Sequence, residues 1–180
     1  MDNRQYKYLF LDRDGVINVE RPDDYAKDIP EFIFIEGVLD AFAMLAQKFD
    51  YIFIITNQRG VGRGVMGLSK LIEIHNYMLD EIRKAGGKIS NIYFCTDISS
   101  TSINRKPNIG MAFQAQRDYS EVDFSKSIMV GNSSSDIEFG NKLGMYTILV
   151  GDKYIKDHKI YSRIDAYYEN LYKFAIDLQN

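Results

Sequence analysis

The sequence predicts an α/β fold of three layers, a Rossmann-like central parallel sheet with helices on both of its faces, and two observations carry that prediction. The first is that five short apolar runs alternate along the chain with segments of helical pattern. Strands that are solidly apolar need cover on both sides, which is the condition of a parallel sheet. The second is that three of those runs break into polar loops: "DRDG" after the first, "TNQRGVGRG" after the second and "GNSSSD" after the fourth. Ligands of such a sheet bind beyond the carboxyl ends of its strands, so these three loops belong on one edge.

The elements follow in order. "YLFLD" at 8–12 is the first strand, and the apolar spacing over 36–48 predicts the first helix. "YIFIIT" at 51–56 is the second strand. The helix over 69–85 is the clearest, with Ser69 as its N-cap, Leu71, Ile72, Met78, Leu79 and Ile82 at helical spacing, and Gly86-Gly87 as its stop. "NIYFC" at 91–95, a helix over 108–119, "SIMVG" at 127–131, a helix over 135–143 and "YTILVG" at 146–151 complete the alternation. A last helix is predicted over 163–178, with Tyr167, Tyr168 and Tyr172 packing along it. No repeat, low-complexity tract or linker divides the chain, so residues 1–180 are expected to form a single domain.

Composition narrows the partners. With 46% hydrophobic residues the chain can bury a sizeable core, and its net charge of −3 offers no broad basic field for nucleic acid. A small anionic ligand fits better. The single cysteine, Cys95, points to a reducing compartment. The N-terminus "MDNRQYKY" lacks an apolar signal region and no run is long enough to cross a membrane, so a soluble cytoplasmic location is expected. The tyrosines near the C-terminus read as packing rather than as a self-association face, which favours a monomer.

The chemistry lies at the predicted edge. On a strand, residues two apart share a face, so Asp12 and Asp14 would point to one spot and Arg13 away from it. Two carboxylates beside a core call for a cation between them. Phosphoryl transfer uses every part of this kit. Asp12 would attack phosphorus, and Asp14 would protonate the leaving alcohol and then deprotonate the hydrolytic water. Thr56 and the amides after it would bond phosphate oxygens, and Lys106 would supply a point charge, with Arg105 beside it. Mg²⁺ prefers oxygen donors, which Asp12, Asp14, Asn132 and Asp136 offer. Arg59 and Arg63 are candidates for a second anion site. His75 and His158 lack neighbouring ligands and read as surface or satisfied core residues, and Cys95 reads as a small buried hydrophobe.

"FLDRDGVIN", "ITNQRGVGRG", "NRKPNIGM" and "MVGNSSSDIEFG" together resemble the four ordered motifs of the haloacid dehalogenase (HAD) superfamily phosphatases, over about residues 7–151. Within that superfamily the chain is similar to the histidinol-phosphatase and D-glycero-D-manno-heptose-1,7-bisphosphate phosphatase branch. The resemblance implies Asp12 as nucleophile, Asp14 as acid/base, Thr56 as the second-motif hydroxyl, Lys106 as the third-motif lysine, and Asn57 and Arg105 as substrate contacts. It implies Mg²⁺ and a sugar-phosphate substrate, heptose 1,7-bisphosphate first and histidinol phosphate second. It also implies no large cap domain, for which the short spans between motifs leave no room. Two departures stand out. The branch's zinc ligands, Cys-x-His and Cys-x-Cys, are replaced here by "CTD" at 95–97 and "SIN" at 102–104, so no zinc is expected. Asn132 stands where the fourth motif has a metal-binding aspartate, which predicts weaker Mg²⁺ binding and keeps open an impaired phospho-ligand binder.

Overall fold

The computed structural model describes residues 5–21, 24–154 and 158–179. Six strands form one sheet in the order β3-β2-β1-β4-β5-β6. They are β1 (Tyr8–Leu11), β2 (Tyr51–Asn57), β3 (Asn91–Cys95), β4 (Ser127–Gly131), β5 (Tyr146–Val150) and β6 (Ala166–Tyr168). Every neighbouring pair runs parallel. The strand order reverses at β1, whose two neighbours are β2 and β4, and the cleft at such a reversal is where a doubly wound sheet takes its ligand.

Alternate residues of each strand feed two cores. Leu9, Leu11, Ile52, Ile54, Ile128 and Val130 face one side, against helices α1 (Val38–Leu45), α3 (Leu68–Lys84) and α6 (Leu171–Asp177). Phe10, Phe53, Ile55 and Met129 face the other, against Met111, Ala112 and Ala115 of α4 (Gly110–Asp118) and Phe139 of α5 (Ser134–Lys142). The short α2 (Arg59–Gly62) follows directly on β2. This is the three-layer α/β arrangement expected, a parallel sheet with helices on both faces. Among the described residues no helix is long and apolar enough to cross a membrane.

The C-terminal region differs from expectation. Instead of one helix over 163–178, the chain makes a 3-10 turn (Lys159–Arg163), then β6, then α6. Tyr167 and Tyr168 therefore lie on an edge strand, registered against Leu149 and Val150. Asn170, two residues past the end of that strand, is extended and caps α6 by accepting from the Lys173 amide, which sets the start of the helix at Leu171. The expected N-cap of α3 also moves, from Ser69 to Gly67, with Leu68 the first helical residue.

Candidate active site

Asp12, Lys106 and Asp136 come together where β1 and β4 end. The Asp12 amide donates to the Val130 carbonyl at 3.0 Å, which continues the pairing of the two strands by one residue and places the Asp12 side chain at the sheet edge. Asp136 arrives from the first turn of α5, in a capping box with Ser133. Its Oδ2 accepts from the Ser133 amide at 3.0 Å and the Ser133 hydroxyl at 2.6 Å. Gly131 makes this approach possible, because a Cβ there would stand 2.1 Å from the Cβ of Asp136. Lys106 enters from the loop before α4. Its Nζ lies 2.8 Å from Asp12 Oδ1 and 2.6 Å from Asp136 Oδ1, and donates to the Ile55 carbonyl at 2.6 Å. Burial weakens the ammonium, but Asp12 and Asp136 outweigh it and hold Lys106 protonated. Burial, then the charge of Asp136, raises the pKa of Asp12, while Lys106 pulls it back.

Asn57 fixes the lysine from behind. Its Oδ1 accepts from the Lys106 amide at 3.0 Å and its Nδ2 donates to the Lys106 carbonyl at 3.1 Å. The residue expected only as a substrate contact is thus a clamp on Lys106 as well. Asp136, expected as a metal ligand, has Oδ1 against Lys106 and Oδ2 against Ser133, and its side chain is fully buried. Its geometry is that of an anchor for the lysine.

Asp14 shares the cavity wall with Asp12, as the alternation predicts, and Arg13 lies off that wall, but its guanidinium still reaches the Asp14 carboxylate. Its Nη2 donates to both Asp14 oxygens, at 2.9 and 3.0 Å. The guanidinium is buried over the Phe32 ring, and its Nη1 meets His75 Nε2 at 3.1 Å. Because a guanidinium only donates, that ring nitrogen accepts. His75 is the satisfied core histidine expected, its pKa depressed to about 3 by burial and then by Arg13. Asn18 Nδ2 and Gln58 Nε2 add a donor to each Asp14 oxygen, at 2.9 and 3.0 Å. Burial alone would raise Asp14, yet Arg13, Asn18 and Gln58 together hold it below the usual carboxylate range. Gln58 also donates to Thr56 Oγ1 at 2.8 Å, tying the second-motif hydroxyl to the acid/base candidate. Asn18 and Gln58 were missed in the sequence, although Gln58 adjoins Asn57 in the loop that drew attention.

Asp12, Asp14, Asn57, Lys106, Asn132 and Asp136 line one cavity of about 170 Å³. Thr56 is buried and not on its wall, and Arg59, Arg63 and Arg105 also lie off it. The arginines nevertheless keep company: burial, then Arg59 and later Arg63, depress the pKa of Arg105. Arg59 Nε is buried without a hydrogen-bond partner among the described residues. Arg105 Nη1 donates to the Asp97 carbonyl at 3.3 Å.

The cavity wall holds five carboxylates, Asp12, Asp14, Glu20, Asp24 and Asp136, against two cationic side chains, Arg21 and Lys106. A phosphate dianion would be repelled from such a wall without further positive charge. The donors available are carboxylate and amide oxygens, the chemistry of a hard divalent cation. Mg²⁺ fits these donors, and Asp12, the main chain at Asp14, and Asn132 are the residues that would hold it.

Known proteins place this geometry in context. A model of the HAD-hydrolase-like family matches residues 103–173. D-glycero-alpha-D-manno-heptose-1,7-bisphosphate 7-phosphatase of Burkholderia mallei is 36% identical, covering 79% of this chain and 78% of the relative. The beta-anomer enzyme of Neisseria meningitidis is 37% identical, covering 84% and 83%. The crystal structure of D,D-heptose 1,7-bisphosphate phosphatase from B. bronchiseptica, complexed with magnesium and phosphate, superposes with a TM-score of 0.87 at 30% identity, covering 96% of this chain and 98% of that one.

Proposed function

This chain belongs to the HAD phosphatases, and from that premise we propose that Asp12 is its nucleophile and Asp14 its acid/base in removing the 7-phosphate of D-glycero-D-manno-heptose 1,7-bisphosphate. The protein is a phosphoric monoester hydrolase, and HAD phosphatases use Mg²⁺. The observation that carries the reading is the Asp12–Lys106–Asp136 cluster at the β1/β4 reversal: one carboxylate oxygen is tied to a buried ammonium while the side chain still borders the cavity. Mg²⁺, when bound, offsets the charge between phosphate and carboxylate.

Asp12 attacks phosphorus as the bond to the sugar oxygen breaks, giving an aspartyl-phosphate and an alkoxide that takes its proton from Asp14. Asp14 then removes a proton from the water that releases phosphate. In the structure Asp14 is held ionised by its donors, the form that serves this second half, and the proton it gives in the first half is the one it took from water in the turnover before, or takes up from solvent for the first. Lys106, which borders the cavity beside Asn57, offers positive charge to the phosphate oxygens, whereas the Gln58 amide is committed to the Cys95 carbonyl at 2.7 Å. The heptose reading gives Arg59, Arg63 and Arg105 a purpose, since a bisphosphate presents a second anion and Arg59 has an unpartnered buried donor. The relatives divide between the alpha and beta anomers, so either is a substrate to test.

We read the chain as one cytoplasmic domain, a monomer without zinc. Where the branch binds zinc, hydrogen bonds hold the loop: Ser102 Oγ donates to Asp97 at 2.5 Å, and Asn108 Nδ2 donates to the Ser100 and Ser102 carbonyls at 3.0 and 2.8 Å. An impaired phospho-ligand binder would have no need of Asp12 and Asp14 together. The deciding experiment is phosphate release with Mg²⁺ from both anomers of heptose 1,7-bisphosphate and from histidinol phosphate. The expected result is preference for a bisphosphate and complete loss in Asp12→Asn. Preference for histidinol phosphate overturns the substrate, and activity in Asp12→Asn overturns the mechanism.

A further inference from the structure

We propose that Glu20 is a positioning residue for the metal, returning through Asn132 the negative charge that an amide at position 132 lacks. The inference rests on the reading of Asn132 as a metal ligand. Asn132 is buried, and its Nδ2 donates to Glu20 Oε2 at 2.8 Å across 112 residues of sequence. An ionised carboxylate only accepts, so this contact fixes which end of the amide is which. The nitrogen is committed to Glu20, and Oδ1 is the atom left for a cation.

Two further contacts lock the arrangement. Gly15, at φ +80°, passes so close that a Cβ on it would stand 1.9 Å from Asn132 Nδ2, so the amide packs directly against the backbone that follows Asp14. Lys153, from the loop after β5, holds Glu20 from the other side at 2.8 and 3.1 Å. Glu20 and Lys153 are about two-fifths exposed, 40% and 43%, so solvent and salt screen the lysine's offset of the Glu20 charge and the direct Glu20 field alike, and the contact through Asn132 is what carries the effect. Glu20 itself lines the cavity with Asp12, Asp14 and Asn132. A carboxylate accepting from the amide nitrogen also polarises the amide and increases the negative charge on its oxygen. Glu20 thus acts on the metal through Asn132 in two ways, by polarising the amide and by the orientation it imposes. The pairing also changes what Asn132→Asp would do alone. It would set two carboxylates face to face at the 2.8 Å contact, and the added charge would repel Glu20 as well as attract the cation.

The test is Mn²⁺ binding, by electron paramagnetic resonance and calorimetry without substrate, to the wild type, Glu20→Gln, Asn132→Asp and the double variant. Glu20→Gln keeps an acceptor for Asn132 and removes the charge, with one of the two exposed Lys153 contacts, so a purely structural role predicts no change in metal affinity. Partners one shell out from a metal are worth about 10–100-fold in affinity, and we expect Glu20→Gln to weaken Mn²⁺ binding about tenfold with the metal-free melting temperature unchanged. The double variant, with the charge moved onto position 132, should recover wild-type affinity or better. Equal affinity of Glu20→Gln and wild type overturns the role of Glu20. Failure of the double variant to recover overturns its action through Asn132. A wild type that binds no Mn²⁺ overturns instead the metal reading on which the inference rests.

Discussion

Replacing Lys106 by methionine tests whether the buried ammonium is the counter-charge of the site. Its Nζ touches Asp12 and Asp136 at 2.8 and 2.6 Å, and the Lys106 side chain is 1% exposed. Methionine is close in length and apolar, so the variant removes charge with little change of volume. What remains is two carboxylates, one fully buried, with nothing between them in metal-free protein. Breaking a buried ion pair by removing one partner costs about 3–5 kcal/mol, and here one removal strands two groups and the Ile55 carbonyl. In a chain of this size that corresponds to a melting temperature lower by roughly 6–20 °C. The assay is urea unfolding with chelator present, followed by circular dichroism. Asp136→Asn is the comparison, since it leaves a neutral Asp12–Lys106 pair and should cost less. The double variant should cost less than the sum of the two, because Asp136 loses most of its purpose once Lys106 is gone. A loss under about 1 kcal/mol in Lys106→Met, within the range of an ordinary surface change, would refute the idea that Lys106 holds the two carboxylates in place.

Asp14→Asn should lower turnover by at least about 10²-fold. It should also lower stability measurably, because the buried Arg13 loses its carboxylate partner, so rates belong on the folded fraction alone. Arg63→Ala should raise KM for the bisphosphate far more than for a monophosphate, and equal effects in steady-state kinetics would remove Arg63 from the second anion site. His75 makes stability depend on pH with a definite sign. Its folded pKa, about 3, lies below the unfolded value, so the unfolded chain binds more protons between those two values. The stability it contributes is complete above about pH 6.5 and is lost as pH falls toward 3. From pH 7.5 to 5.5 the loss from this group is about 1.4 kcal/mol. Urea unfolding at both pH values should show that much less pH dependence in His75→Gln, which keeps an acceptor for Arg13.

What the sequence revealed and what it concealed divide along the range of the interactions. Asp12 and Asp14 were legible because strand alternation is a local rule, and β1 to β5 because an apolar run bounded by polar loops is a local pattern. β6 was not, since three half-exposed residues on an edge strand carry too little pattern to compete with the helix that follows. The pairing of Arg13 was hidden for a stronger reason. Alternation turns it away from the cavity but says nothing of a buried guanidinium that closes on Asp14, and its partner His75 lies 62 residues on. The same holds for Glu20, which has no signal of its own and meets Asn132 and Lys153 across 112 and 133 residues. The sequence therefore shows Asn132 as a deficit, one charge fewer than the fourth motif of the family it resembles implies. The fold turns that deficit into a pairing, because an amide can both donate to Glu20 and accept a cation, whereas an aspartate in its place could only accept. Position 132 and position 20 must then vary together if metal binding is to be kept, and a carboxylate at one is compatible with a neutral group at the other.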